Sequence, residues 1–300
     1  MQNKGIIGAV CGDIIGSAYE FHKTKDMNFK LFTPQSTFTD DTVMTCAVAE
    51  WLVEDPKHSH EQLVRIMHRY GEEYPHAGYG GMFRKWLINK WTEPYNSFGN
   101  GSAMRVSPCG YYAKSFEEAL QLAQISAEVT HSHPEGIIGA QAVAAMIYLL
   151  RSGEYSEKAK EFLKDHCFYD IDKISENWET IQRDYDFDVT CQGSVPEAIY
   201  CAMKNIASPM GYDRTVREAV SLGGDADTQG AIAGGIASAV CEVPDEILNE
   251  CLDRLEPPLV DVIERFYSAF NQQNVEFCPV KSENHAIRGD ARMRIFVMIL

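Results

Sequence analysis

Apolar residues recur at three- and four-residue steps along most of the chain. Ile171, Ile174, Trp178, Ile181 and Tyr185 form one such stripe, which predicts a helix with one buried face. Similar patterns cover about 42–54, 60–74, 117–129, 135–151, 195–207, 213–222, 228–241, 245–254 and 258–271. Alternating runs closed by tight hairpin turns are nearly absent. Pro134, Pro196 and Pro244 each fall near a predicted helix start, where a missing N–H is harmless. Segments 137–147 and 231–239 are rich in Ala and Gly, which lets helices approach closely. No linker and no fixed-period repeat divides the chain. The pattern predicts an all-α protein, a single compact domain of ten or more helices over residues 1–275. From about Val280 the helical period fades, and Arg288, Arg292 and Arg294 lead into the apolar Ile295–Leu300. Residues 276–300 are therefore expected to be a tail, poorly ordered or an appended extension, and the Arg-Gly-Asp at 288–290 in it reads as chance.

Composition narrows the function classes. Of 300 residues, 27 are Lys or Arg and 43 Asp or Glu, a formal net charge of −16. With 45% hydrophobic residues this is an ordinary folded protein, long enough to bury a core without staples. The charge argues against a general nucleic-acid binder and against docking on anionic lipid. It leaves room for a small anionic ligand held by backbone N–H groups or metal ions. The longest largely apolar stretch, Gly136–Leu150, contains Gln141 and is too short to span a bilayer. No secretory leader is expected, because no basic segment followed by an apolar one opens the chain. Nine cysteines, at 11, 46, 109, 167, 191, 201, 241, 251 and 278, form no C-x-x-C pair. They are expected to be buried free thiols of a cytoplasmic protein.

Two acidic clusters carry candidate chemistry. Phe38-Thr39-Asp40-Asp41-Thr42 directly precedes an apolar helix, and Gly223-Gly224-Asp225-Ala226-Asp227-Thr228 precedes the Ala/Gly-rich one. Each is compatible with capping, since Thr and Asp accept orphan N–H groups at a helix start. One Asp would serve for that, and adjacent carboxylates repel. The alternative is a hard divalent cation site of carboxylates, hydroxyls and water. Four carboxylates have capacity for two such cations about 3.5–4 Å apart. No His or Cys has the spacing of a zinc site.

Three Gly-rich segments complete the set. In Gly5–Phe21, glycines at 5, 8, 12 and 16 have the spacing of a helix packed tightly on another. No strand precedes them and the spacing is not that of a dinucleotide fingerprint. The second is Gly78-Tyr79-Gly80-Gly81. In the third, Ser97–Arg105, Gly99 and Gly101 bracket Asn100, so positive φ could turn several N–H groups toward one anion. Thr130-His131-Ser132-His133 ends a helix; His131 is either a packing or capping residue or a donor to a phosphate or ribose hydroxyl.

Five of these motifs, in this order, resemble the ADP-ribosylglycohydrolase family: GAVCGDIIGSAYEF at 8–21, FTDDTVM at 38–44, FGNGSAMR at 98–105, THSHP at 130–134 and GGDADTQGAI at 223–232. The resemblance runs from about Gly5 to Phe270. It implies an all-α fold with two Mg²⁺ or Mn²⁺ ions at the bottom of a cleft. By that resemblance Thr39, Asp40 and Asp41 hold one metal, and Asp225, Asp227 and Thr228 the other, with Asp227 bridging. Glu20 would reach a metal or gate the site. The loop of Gly99, Asn100, Gly101, Ser102, Ala103 and Met104 would hold the diphosphate and distal ribose of ADP-ribose, with a polar contact from His131. Some bacterial members carry an Asp near the Gly-Tyr-Gly loop, proposed to assist ribose opening; Pro75–Gly81 has no acid here.

The expected activity is hydrolysis of the bond between C1 of the distal ribose and an acceptor, on an ADP-ribosylated protein or small molecule. Asp40 or Asp41 would steer or deprotonate the water, and Glu20 would be the acid or the gate. Two alternatives remain: a dinuclear-metal enzyme that cleaves the phosphoanhydride of ADP-ribose, and a non-catalytic ADP-ribose-binding relative. The chain is expected to be a monomer, with no nucleic-acid or membrane partner.

Overall fold

The computed structural model describes residues 2–154 and 157–276. Among them sixteen helices follow one another. They are α1 (Ile7–Ser17), α2 (Asp40–Glu54), α3 (His60–Glu73), α4 (Gly81–Ile88), α5 (Gly101–Met104), α6 (Ser107–Tyr112), α7 (Phe116–Glu128) and α8 (Pro134–Arg151). After them come α9 (Glu157–Asp165), α10 (Ile171–Glu176), α11 (Trp178–Asp184), α12 (Cys191–Asn205), α13 (Gly211–Val220), α14 (Ala226–Ala237), α15 (Asp245–Leu252) and α16 (Pro257–Glu276). No strand occurs among the described residues; one isolated bridge joins Gly99 to Thr190. No helix among them is long and apolar enough to cross a membrane. The tail from 277, with Cys278 and the Arg-Gly-Asp, lies outside the described residues.

The centre of the fold is the pair α1 and α14. Their glycines meet in opposite order: a Cβ added to Gly8 would stand 2.6 Å from the Gly234 oxygen, one on Gly12 2.0 Å from that of Gly230, and one on Gly16 2.2 Å from that of Ala226. The helices are therefore antiparallel, with backbones too close for any side chain between them. Only Gly allows this approach, which brings Cα–H groups against carbonyls. The first Gly-rich segment is thus largely a helix, as its spacing implied. Around the pair, α8 packs on α7, α6, α5 and α12, while α2 packs on α3, α6 and α16. One continuous apolar core fills the spaces, with Ile7, Ile14, Trp51, Trp86, Ile147 and Phe266 almost wholly buried. Each such side chain contributes about 1.5–3 kcal/mol.

Two expectations need correction. The stripe from Ile171 to Tyr185 is not one helix. Asn177 leaves helical geometry at φ −105°, ψ 8° and ends α10 while opening α11. Its amide and side chain both bond back to the Lys173 carbonyl, the local competition that Asn offers to a continuing helix. Pro196 does not mark a helix start either. It lies inside α12, which opens at Cys191 under a Thr190 cap whose side chain accepts from the Gly193 N–H. Pro134 does stand in the first turn of α8, and Pro244 directly precedes α15. Among the described residues eight cysteines are free, seven of them buried and Cys241 half-buried.

Gly12→Ala is expected to lower stability by about 3 kcal/mol or more, because the methyl group meets backbone that cannot rotate away. Gly81→Ala, where an added Cβ meets nothing within 4 Å, is expected to stay within about 0.5 kcal/mol of the parent. Urea unfolding of the two variants checks this; similar midpoints would refute the close-packing account.

Candidate active site

The antiparallel register of α1 on α14 places the end of α1 beside the start of α14. Asp13, Gly16 and the following Glu20 therefore face Asp225 and Asp227. The start of α2 packs against α14 as well, bringing Asp40 and Asp41 to the same place. A cavity of about 420 Å³ opens there. Its lining joins Glu20, Thr39, Asp40, Asp41, Asp225, Asp227 and Thr228 to Gly99, Asn100, Gly101, Met104 and His131. Five loops and helix ends far apart in sequence thus meet in one cavity, together with Gly78, Gly80 and Gly81.

The carboxylates form two triads that share a member. Oxygens of Asp13, Asp41 and Asp227 lie within 4.8 Å of one another, and so do those of Glu20, Asp225 and Asp227. The five Asp and Thr side chains Asp13, Asp41, Asp225, Asp227 and Thr228 are at most 6% exposed. Asp40 lines the cavity but belongs to neither triad. Asp13 is saturated: it accepts from the Thr39 N–H at 2.9 Å, the Thr39 hydroxyl at 2.8 Å, the Thr42 N–H at 3.1 Å and the Thr42 hydroxyl. It therefore fixes the start of α2. The Thr39 hydroxyl hydrogen goes to Asp13, which leaves its oxygen lone pairs for another partner. Asp41 Oδ1 is buried with no hydrogen-bond partner.

Capping does not account for these groups. Asp225 stands at the N-cap of α14 yet its side chain caps nothing; it accepts instead from Asn100 Nδ2 at 2.7 Å. Thr39 does cap α2, accepting from the Asp41 N–H at 3.3 Å. Electrostatics say the same. Burial, then the neighbouring Asp227 charge, pushes Asp13 up to about 7. Burial, Asp227 and Asp13 push Glu20 up to about 8. Burial and the same neighbours hold Asp40, Asp41 and Asp225 well above the usual carboxylate range, and burial raises Asp227. The two helix starts offset only part of this repulsion. An all-oxygen donor set, mutual repulsion and an orphaned Asp41 oxygen fit a hard divalent cation.

The glycine-rich loop differs from expectation. Neither Gly99 nor Gly101 has positive φ. Space is tight instead: a Cβ on Gly101 would lie 3.1 Å from His131 Nε2, and one on Gly99 3.3 Å from Ser97 Oγ. The Gly99 N–H bonds Ser97 Oγ and the Asn100 N–H bonds the Val189 carbonyl. The Ala103 and Met104 N–H groups close α5 on the Asn100 carbonyl. Of the amides that open α5 only that of Gly101 belongs to a residue lining the cavity; Ser102 and Ala103 are buried and do not line it. The Ser102 hydroxyl donates to the Gly136 carbonyl at 2.6 Å. His131 and His133 divide their roles. His133 caps α8 by accepting from the Glu135 N–H. His131 lines the cavity, and burial together with Arg105 keeps it well below the usual range and so neutral. Its Nδ1 lies 2.7 Å from the Thr130 hydroxyl, which accepts from Arg105.

Sequence reasoning assigned no role to Asp13, Arg105, Phe187 or Val189. The first two carried a signal, each a charged residue in an otherwise apolar or small-residue stretch. Phe187 and Val189, half-exposed on the cavity lining, sit in a loop without periodicity or motif.

Comparison with known proteins shows the family of the chain. The sequence model of the family described as ADP-ribosylglycohydrolase matches residues 4–276. ADP-ribosylhydrolase ARH3 of Homo sapiens is 28% identical over 320 aligned positions, covering 82% of this chain and 87% of that protein. An uncharacterized protein of Archaeoglobus fulgidus is 28% identical over 281 positions, covering 83% of this chain and 90% of its own. A solved ADP-ribosylglycohydrolase-related protein complex superposes with a TM-score of 0.65 at 21% identity, covering 89% of this chain and 95% of that one. At that identity the likeness speaks for the fold.

The carboxylates set a pH dependence. The folded, metal-free protein keeps protons that the unfolded chain releases near 3.8 for Asp and 4.5 for Glu. Stability is therefore expected to fall as pH rises from about 4 through 7 and 8, where Asp13 and Glu20 titrate. Saturating Mg²⁺ or Mn²⁺ should flatten that slope by favouring the ionised groups. Melting curves with and without the ion test this; a metal-free Tm that rises across the range would contradict it.

Proposed function

The chain belongs to the ADP-ribosylglycohydrolase family, a family of hydrolases, and from that premise we propose that it is a divalent-metal-dependent enzyme cleaving the glycosidic bond at C1 of the distal ribose of ADP-ribose. The observation that carries this reading is the pair of carboxylate triads sharing Asp227, set across one cavity from the loop 99–104. Thr39, Asp40 and Asp41 are assigned to one cation and Asp225, Asp227 and Thr228 to a second, with Asp227 common to both. Mg²⁺ or Mn²⁺, when bound, lowers the pKa of a coordinated water and offers positive charge to ribose hydroxyls.

The protein's own groups do the rest. The Gly101 amide at the glycine-rich loop faces the diphosphate, and neutral His131 adds a polar contact. Phe187 and Val189 offer apolar surface to the base. Asp40 or Asp41 orients the water and takes its proton. Glu20, at the junction of α1 and the cavity, gives a proton to the departing side chain or screens it from solvent. A transition state of oxocarbenium character gains from the surrounding carboxylates. Asp13 acts through Thr39 and Thr42 as a positioning residue.

The test is release of free ADP-ribose from arginine-linked and serine-linked ADP-ribosylated substrates in the presence of Mg²⁺ or Mn²⁺. Release from one of them is expected, falling at least about 100-fold in Asp225→Asn while the circular dichroism melt stays cooperative. AMP as product would mean phosphoanhydride cleavage instead. Undiminished turnover by Asp225→Asn would remove the metal mechanism.

A further inference from the structure

A second cavity, of about 500 Å³, lies between the start of α8, the loop before α10, the helices α10 and α11, and the first turns of α12. It shares no lining residue with the acidic cavity. Its walls hold acceptors without partners. Glu197 Oε2 and the Tyr169 hydroxyl are both buried and make no hydrogen bond, and Tyr169 is only 4% exposed. Pro196 has no N–H, so the carbonyl of Gln192 one turn earlier lacks its helical partner. All four residues line the cavity. The charge felt by Glu197 is that of Asp188, of the same sign, which with burial pushes Glu197 up to about 7. A carboxylate with one oxygen buried and unpartnered is unfavourable unless a cation answers it. Glu135 and Asp170 add two further carboxylates to the lining, Asp170 already paired with Lys164, and the exposed Lys173 is the one basic side chain there.

The opposite wall is apolar. Ile174 and Ile181 contribute to it, and Phe168 stands 77% exposed beside them. Phe168 has φ +61°, a left-handed conformation that is uncommon for a bulky residue and tends to mark function. Separated acceptors and an exposed aromatic ring on the lining of one cavity match a planar group with several N–H donors better than a compact ammonium.

We propose that this cavity is a second ligand site, which takes a guanidinium group on a short aliphatic chain, held by Glu197, the Gln192 carbonyl and Tyr169 and flanked by Phe168. The site is independent of the hydrolytic one. The probe is agmatine, titrated calorimetrically into the full chain. Saturable binding is expected, with none for the uncharged analogue butylurea. Glu197→Gln should weaken it about 10-fold or more, and Tyr169→Phe measurably. Pro196→Ala supplies an N–H to the Gln192 carbonyl, so it should weaken agmatine binding while keeping or raising Tm, which separates ligand binding from damage to α12. Asp225→Asn should bind agmatine like the parent. No saturation by about 10 mM agmatine, equal binding by Glu197→Gln, or loss of binding in Asp225→Asn would each overturn the proposal.

Discussion

Everything at the site depends on one backbone contact, the glycine-lined crossing of α1 and α14. Two helices that touch through Gly12 and Gly230 leave no room to slide, because a shift along the axis would drive a neighbouring side chain into a carbonyl. That contact fixes which turn of α1 faces which turn of α14. Asp13 and Glu20 are consequently held against Asp225 and Asp227, and Asp13 in turn holds the start of α2 through four hydrogen bonds. The geometry of the carboxylate cluster is thus a product of how these two helices pack.

The same scaffold sustains an arrangement that opposes folding. Six carboxyl groups converge, and burial and repulsion raise the pKa of every one of them. Nothing in the cluster itself favours the metal-free fold. The cohesion comes from the surrounding apolar core, and the cluster persists because the helices that carry it are anchored elsewhere: α1 to α14, α2 to α3 and α16. Stability that could have come from apolar residues at these positions is given up to pre-form a cation site, the usual relation between function and stability.

Much of this was legible in the sequence, for reasons that differ by element. Long amphipathic helices such as α3 and α13 show one apolar stripe and were found to within a few residues. The glycine row of α1 was legible because a spacing of three and four has one physical meaning. The acidic clusters stood out because repelling neighbours are hard to explain otherwise, although only the structure brings the two together. What failed was local: Asn177 splits a stripe that looks continuous, since its own side chain competes for the backbone, and Pro196 sits within α12 because the Thr190 cap lies earlier. The role of Gly99 and Gly101 was misjudged because sequence shows that glycine is required, not whether for φ or for space. Phe187 and Val189 had no pattern to betray them.

Asn100 shows how tightly the two halves of the site are joined. Its backbone N–H is spent on Val189 and its carbonyl closes α5, while its side chain spans to Ser194 and Asp225. None of its groups is free to hold an anion, although it stands at the centre of the glycine-rich loop. Its function is structural coupling: a displacement of the loop would pull on an Asp225 oxygen, and a change of charge at Asp225 would be felt by the loop. The isolated bridge of Gly99 with Thr190 and the Cys191 N–H to Phe98 carbonyl bond tie the same loop to the start of α12. The glycine-rich loop and the carboxylates are therefore one mechanical unit, so that whatever the loop holds is placed at a fixed distance from the acidic cluster.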